Sequence, residues 1–205
     1  MKGLFAALML AALAVRADSP YPLRVGNNWE YTYRNVITYP MGDNVMTNVT
    51  VGTMSSKIVG METTNGVTYF KAETDYHGMF NLPKQYMLLR EDDAGIYSAS
   101  DLLGSFSESL TIALPLEVGR KWEYFDGVAG WRKCEAIETV EQDGKRYDDC
   151  YKITREFKDP EKAKTMVNTS WYAPGFGEVR FYLKQELGPT LSLTETFLTS
   201  FTAGP

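Results

Sequence analysis

"PLRVGNNWEY" spans Pro22–Tyr31 and "PLEVGRKWEY" spans Pro115–Tyr124; seven of the ten positions are identical, and the copies lie 93 residues apart. Which positions stay fixed decides the reading. Pro22 and Pro115 set φ just ahead of a strand, and Gly26 and Gly119 allow a tight bend. Trp29 and Trp122 then open a strand and deliver a large apolar surface to a core. The residues that differ, Arg24/Glu117, Asn27/Arg120 and Asn28/Lys121, read as solvent positions. A catalytic motif would keep its polar residues. This one keeps its bend and its strand face, as a folding element does.

The same order of signals follows each copy. A strand comes first, then a longer strand, then Asn65-Gly66 or Asp143-Gly144, then a strand with Tyr69 or Tyr147 three residues past the glycine. Asn-Gly and Asp-Gly are hairpin dipeptides, because a type I′ turn needs positive φ at both central residues. Turns at Gly95 and Gly177 come next, each followed by a short strand. Alternation supports strands directly: in "WEYTY" Trp29, Tyr31 and Tyr33 share a face, and in "LSLTETF" Leu191, Leu193 and Phe197 oppose Ser192, Thr194 and Thr196. Helical material is thin, with short helices expected at Lys158–Met166, where Asp159 caps and Pro160 takes the first position, and at Ser98–Leu110. The expectation is an all-β fold, an antiparallel open or incomplete barrel (a strongly curved sheet). It is built from two meander repeats, about residues 20–113 and 114–205, with at most one or two short helices.

The first 17 residues read as a signal peptide. Lys2 supplies the positive start, "LFAALMLAALAV" the apolar run, and Val15 and Ala17 the small residues before cleavage after Ala17. The run is too short to span a bilayer, and no later stretch is apolar and long enough for a membrane span. The expected location is therefore outside the cytoplasm, periplasmic or extracellular. Losing Lys2 and Arg16 moves the formal charge from −5 to −7. With no run of Lys and Arg to offset that charge, nucleic acid is not an expected partner. In an exported chain Cys134 and Cys150 form a candidate disulfide. A two-residue loop at Asp143-Gly144 would set them on different faces of the ribbon, whereas a three-residue loop centred on Gln142 would bring them opposite each other. Two unpaired thiols are the other outcome.

"YPLRVGNNWEYTY" (21–33), "PLEVGRKWEY", "DDCYKI" (148–153) and "WYAPGFGEVRF" (171–181) are similar to recurring phrases in a family of bacterial secreted proteins grouped by a domain of unknown function. That family resembles the Lol-type lipoprotein carriers. The resemblance covers most of the mature chain and implies an incomplete antiparallel barrel around an apolar cavity. The scarcity of helix leaves little to form the carriers' lid.

Chemistry-bearing motifs are sparse. His77 is the one histidine; Asp75 lies on its strand face, but no nucleophile elbow accompanies it. The cysteines and His77 are too few for a structural zinc site. "REDDAG" (90–95) lacks the ladder of a calcium loop and reads as an acidic turn. No phosphate-binding loop or dinucleotide fingerprint is present, so no catalytic residue, metal or cofactor is expected.

The suggestive feature is aromatic content, 13% with thirteen Tyr and four Trp. Trp29, Tyr31, Trp122, Tyr124, Trp131, Trp171 and Tyr172 are the candidate ligand-binding residues; filling a β-core is their alternative role. Met41, Met46, Met54 and Met61 are adaptable filler or a soft binding rim. The functional expectation is a non-enzymatic binding protein that holds an apolar ligand, lipid tail or protein segment on the concave face of an open barrel. A structural or interaction protein of the envelope, working through strand edges, is the alternative, and a hydrolase using acidic residues a distant third.

Overall fold

Gly26 and Gly119 take φ of 92° and 91°, and the bends around them make the same hydrogen bonds. Gly26 N donates to Ile58 O (2.8 Å), Asn27 N to Arg24 O (3.1 Å) and Ile58 N to Asn27 O (2.9 Å). In the second copy Gly119 N donates to Cys134 O (2.8 Å), Arg120 N to Glu117 O (3.1 Å) and Cys134 N to Arg120 O (3.0 Å). Each phrase therefore docks its bend on the second strand of its own half. Trp29 and Trp122 follow, both buried. Truncating a buried Trp to Ala typically costs about 3–5 kcal/mol, so these two anchors matter more than any single bond of the bends.

The computed structural model describes residues 19–77, 82–102, 105–125, 129–159 and 164–205. The first half forms β1 (Asn28–Met41), β2 (Asn44–Thr64), β3 (Val67–His77), β4 (Gln85–Glu91), β5 (Gly95–Leu102) and β6 (Ser105–Ala113). The second forms β7 (Lys121–Phe125), β8 (Ala129–Gln142), β9 (Lys145–Asp159), β10 (Lys164–Ala173), β11 (Gly177–Leu187) and β12 (Thr190–Thr202). The sheet order is β6-β5-β4-β3-β2-β1-β12-β11-β10-β9-β8-β7, antiparallel throughout. Two six-stranded meanders thus join along β1 and β12, from Asn28↔Thr202 to Thr38↔Leu191. Curvature brings the two outer strands, β6 and β7, beside each other with no ladder between them. The result is a nearly closed barrel with one unsealed seam.

The hairpin signals act as their chemistry requires: Asn65 and Gly66 have φ of 53° and 76°, Asp143 and Gly144 52° and 76°. The short helix expected over Ser98–Leu110 is absent. Its described residues belong to β5 and β6, where pairing to β4 overrides weak local helical preference. The helix expected over Lys158–Met166 is likewise not seen in its described parts, which end β9 and begin β10; residues 160–163 lie outside the described residues. The leader and its cleavage point also lie outside them.

The expectation that the differing positions of the doubled phrase face solvent is wrong for Asn27, which is 2% exposed. Its Nδ2 donates to Pro22 O (2.8 Å), and its Oδ1 accepts from Gly204 N (2.7 Å). The C-terminal tail is thereby tied to the first bend.

The cysteines also differ from the ribbon drawn from sequence. β8 and β9 carry two register shifts, one of them at Asp149, a non-glycine residue at φ 54°. Bulges bend a ribbon, and here the tip of the β8–β9 hairpin folds back on β12: Tyr147 OH donates to Leu198 O (3.3 Å), Lys145 Nζ to Thr199 O, and the Tyr147 ring packs on Phe197. Cys134 lies opposite Ile153 and Cys150 opposite Glu138. That offset, about 10 Å at strand rise, exceeds disulfide reach. Both cysteines are free thiols, and both are buried.

Candidate functional site

The barrel interior is not filled. Two neighbouring compartments, about 210 Å³ and 270 Å³, share Met54, Tyr76, Tyr172 and Glu178 in their walls. Together they approach the size of ordinary small-ligand sites. Strand alternation builds the walls: Tyr31 and Tyr33 of β1, Met54 and Ser56 of β2, Thr74 and Tyr76 of β3 point the same way. The first compartment is mainly apolar, with Met87, Leu89, Ile96 and Ile112. The second gathers more polar side chains, Arg132, Asn168, Ser170, Thr194 and Thr196, among apolar walls of Met54, Tyr33, Tyr76 and Phe181. On β12 the period read from sequence is right, and the polar face is the one that lines the cavity.

One carboxyl stands at the junction. Glu178 keeps some accessible surface, but that surface opens on the cavity, and the protein encloses the rest. Burial raises its pKa above the usual carboxylate range, partly opposed by hydrogen bonds from Ser170 and Tyr172 and by the field of Arg132. The same burial, with the charge of Glu178, raises the phenol of Tyr172. Tyr31 OH donates to the Glu178 backbone carbonyl (3.1 Å), which ties β1 to β11 across the interior.

The sequence-derived candidates divide into three groups. Tyr31 and Tyr172 line the cavity. Trp29 instead plugs the structure. Its indole donates to Phe176 O (2.5 Å), Tyr21 stacks on it at 5.2 Å, and a side chain at Gly177 would come 3.2 Å from its Nε1. Trp122 is buried core. Trp171 is held between Lys152 and Arg180 and donates to Glu138 (2.5 Å), away from the cavity walls. Tyr124 and Trp131 belong to the seam, where a groove of about 420 Å³ runs along Glu108–Leu110 of β6, Glu123 and Tyr124 of β7, and Trp131. Tyr124 is stacked by Arg132 (3.9 Å) and Arg155 (4.8 Å), and Arg132 reaches across to Thr111 O (3.0 Å). A side chain therefore bridges the seam where a backbone ladder does not.

Arg132, Glu178 and Thr196 were not legible as site residues, since charged or hydroxyl residues in strands normally mark the solvent face. Met54 is the one methionine of the four singled out that reaches the cavity; Met41, Met46 and Met61 are exposed.

The other chemical candidates do not assemble. His77 lies between Ser55 (Nε2–Oγ 3.4 Å) and Asp75 (Nδ1–Oδ1 3.9 Å), the order of a hydrolase triad. The second distance is beyond a hydrogen bond, the His side chain is 53% exposed, and it lines none of the three pockets above. In "REDDAG", Asp92 caps the turn by accepting from Ala94 N and Gly95 N and pairs with Arg90, so its charge is already used. No group of three metal-ligating side chains occurs among the described residues, and no helix among them is long and apolar enough to cross a membrane.

No family model matches the sequence, and no match is found among curated proteins. Two solved structures share the fold. A candidate lipoprotein of Parabacteroides distasonis ATCC 8503 superposes with a TM-score of 0.53 at 14% identity, over 90% of this chain and 99% of that one. A candidate exported protein with a YmcC-like fold from Bacteroides fragilis NCTC 9343 gives a TM-score of 0.51 at 15% identity, over 89% and 98%. At such identities the likeness concerns the fold.

Proposed function

We propose that this chain is an exported, non-enzymatic binding protein of a bacterial envelope, made of two repeats behind a cleaved leader, which holds the apolar part of a small ligand inside its barrel. The observation that carries this reading is the interior cavity, mostly apolar, with polar side chains gathered in one of its two compartments and walls from strands of both meanders. A barrel built only for stability would fill that volume, since interiors pack to crystal density. The leader read in residues 1–17 and the names of the two structural neighbours support export, to the periplasm or beyond. The Lol-type resemblance supports lipid as the ligand class.

A second reading rests on a different observation. The outer half of the β1–β2 hairpin exposes Tyr39, Met41, Val45, Met46, Val49 and Val51. Contiguous exposed apolar side chains mark contact surfaces, and a protein partner in the envelope could dock there.

Binding of the neutral dye N-phenyl-1-naphthylamine separates the two. Fluorescence enhancement that is abolished in Thr74→Trp, which fills the apolar compartment, and kept in a Val45→Ser, Val49→Ser variant supports the cavity. The reverse pattern assigns the apolar ligand to the hairpin.

A further inference from the structure

We propose that the more polar compartment reads the head of a carboxylate-bearing amphiphile, a fatty acid, with its head at Arg132 and Thr196 and its chain along Met54, Leu89 and Ile112. This rests on the cavity reading above and adds the head-group chemistry.

Two buried side chains keep hydrogen-bonding capacity that the fold does not use. Arg132 is 8% exposed, and its Nη1 donates to Thr111 O, but its Nε is buried without an acceptor. Thr196 is 5% exposed, and its hydroxyl is also buried without a partner. Both side chains border the same compartment. A buried donor left without an acceptor is costly, and more so when it is charged. Both atoms are closed off from the open space as the side chains stand, and a change of rotamer at either residue would turn its spare donor toward an acceptor-rich group in the compartment. A planar carboxylate suits a guanidinium fork better than a hydroxyl does.

Charge decides between head groups. Arg132 and Glu178 border this compartment and act on each other through the field, yet they form no ion pair within 4.0 Å. A cationic head would add a second positive charge beside Arg132 in a buried space. With Glu178 protonated, a neutral alcohol leaves Arg132 without a counter-charge. A carboxylate neutralises Arg132 if Glu178 carries its proton, the form that burial already favours. The groups facing Glu178 are Arg132 from β8, Ser170 and Tyr172 from β10, Tyr31 from β1 and Tyr21 from the segment before β1. Arg132 is the one permanent charge among them. On the tail side, Met54 borders both compartments, so the head and chain positions adjoin across it.

The test holds the chain constant and changes the head. Dodecanoate and dodecyltrimethylammonium below their micelle concentrations, and dodecanol below its solubility limit, compete with N-phenyl-1-naphthylamine on the purified protein. Dodecanoate is expected to bind about tenfold or more tighter than dodecanol, with dodecyltrimethylammonium weakest. Arg132→Met and Thr196→Val should each narrow the preference of dodecanoate over dodecanol. Thr196→Val is the second variant because Arg132 also bridges the seam, whereas a buried unpaired hydroxyl can be replaced at little cost. Equal binding of the three heads, or a preference unchanged in both variants, overturns the carboxylate assignment and leaves the cavity reading standing. Failure of all three to bind overturns the cavity reading itself.

Discussion

Asn27 Nδ2 donates to the carbonyl of Pro22, and Arg120 Nη1 donates to the carbonyl of Pro115, the equivalent atom of the second copy. Two unlike side chains therefore brace the same bend. They differ in burial: Asn27 is also bound to Gly204 N and is enclosed, whereas the Arg120 bond is exposed. Asn27→Ala should cost about 2–3 kcal/mol, since it strands buried partners, and Arg120→Ala less than about 1 kcal/mol. Urea unfolding of the two variants checks the ratio; equal losses would mean that the tail contact at Gly204 contributes nothing.

The seam gives a second prediction. Tyr124 lies under two guanidinium groups, and exposed to desolvated cation–π contacts span about 0.5–2 kcal/mol. Tyr124→Leu should destabilise the protein by about 1–2 kcal/mol. In hydrogen exchange it should loosen β6 and β7 while leaving the β1–β12 ladder protected, because only the former pair lacks backbone bonds to each other. Uniform loosening would show that the seam is not a separate weak point.

The thiols supply a third. Cys150 Sγ contacts Tyr147 O at 3.2 Å, and burial pushes its pKa up to about 11; burial also raises that of Cys134. Since the thiolate is the reactive form, both should resist Ellman's reagent in the native protein and react fully in denaturant, with no prior reduction needed. A mass two protons below the fully reduced chain would instead show a disulfide.

Periodicity carried much of the fold into the sequence. The doubled phrase, the two hairpin dipeptides and the alternation of "WEYTY" correspond to β1, β7 and the β2–β3 and β8–β9 turns. What alternation could not say was which face is inside. Trp29 and Tyr31 point inward as expected of aromatics, but on β12 Thr194 and Thr196 do, while Phe197 is buried under the β8–β9 tip. An interior that is partly a polar-lined cavity breaks the rule that apolar means inside. The same fact hid Arg132 and Glu178, and the bulge at Asp149 hid the true placement of the cysteines.

Glu178 makes the interior titratable. Its carboxyl is raised in the fold, so the folded state holds that proton more tightly than the unfolded chain does. Its contribution to stability is fullest below the unfolded value of about 4.3 and is lost as pH rises through the folded value. Glu108 and Asp92, held low by Arg90, act in the opposite sense: their contribution is present above the unfolded values and is lost on acidification. Between about pH 4.5 and 8, Glu178→Gln should therefore gain Tm relative to wild type as pH rises. A constant difference across that range would mean that Glu178 is as well solvated as in the unfolded chain.

The most direct test of the central claim is methionine-methyl NMR of the protein titrated with a twelve-carbon amphiphile. Met54 is half-buried and lines both compartments, and Met87, though 42% exposed, lines the apolar one, whereas Met41, Met46 and Met61, on β1 and β2, line neither. The expected result is shifts at Met54 and Met87 with the other three unmoved. Shifts confined to Met41 and Met46 would place the apolar ligand on the β1–β2 hairpin and contradict a binding site inside the barrel.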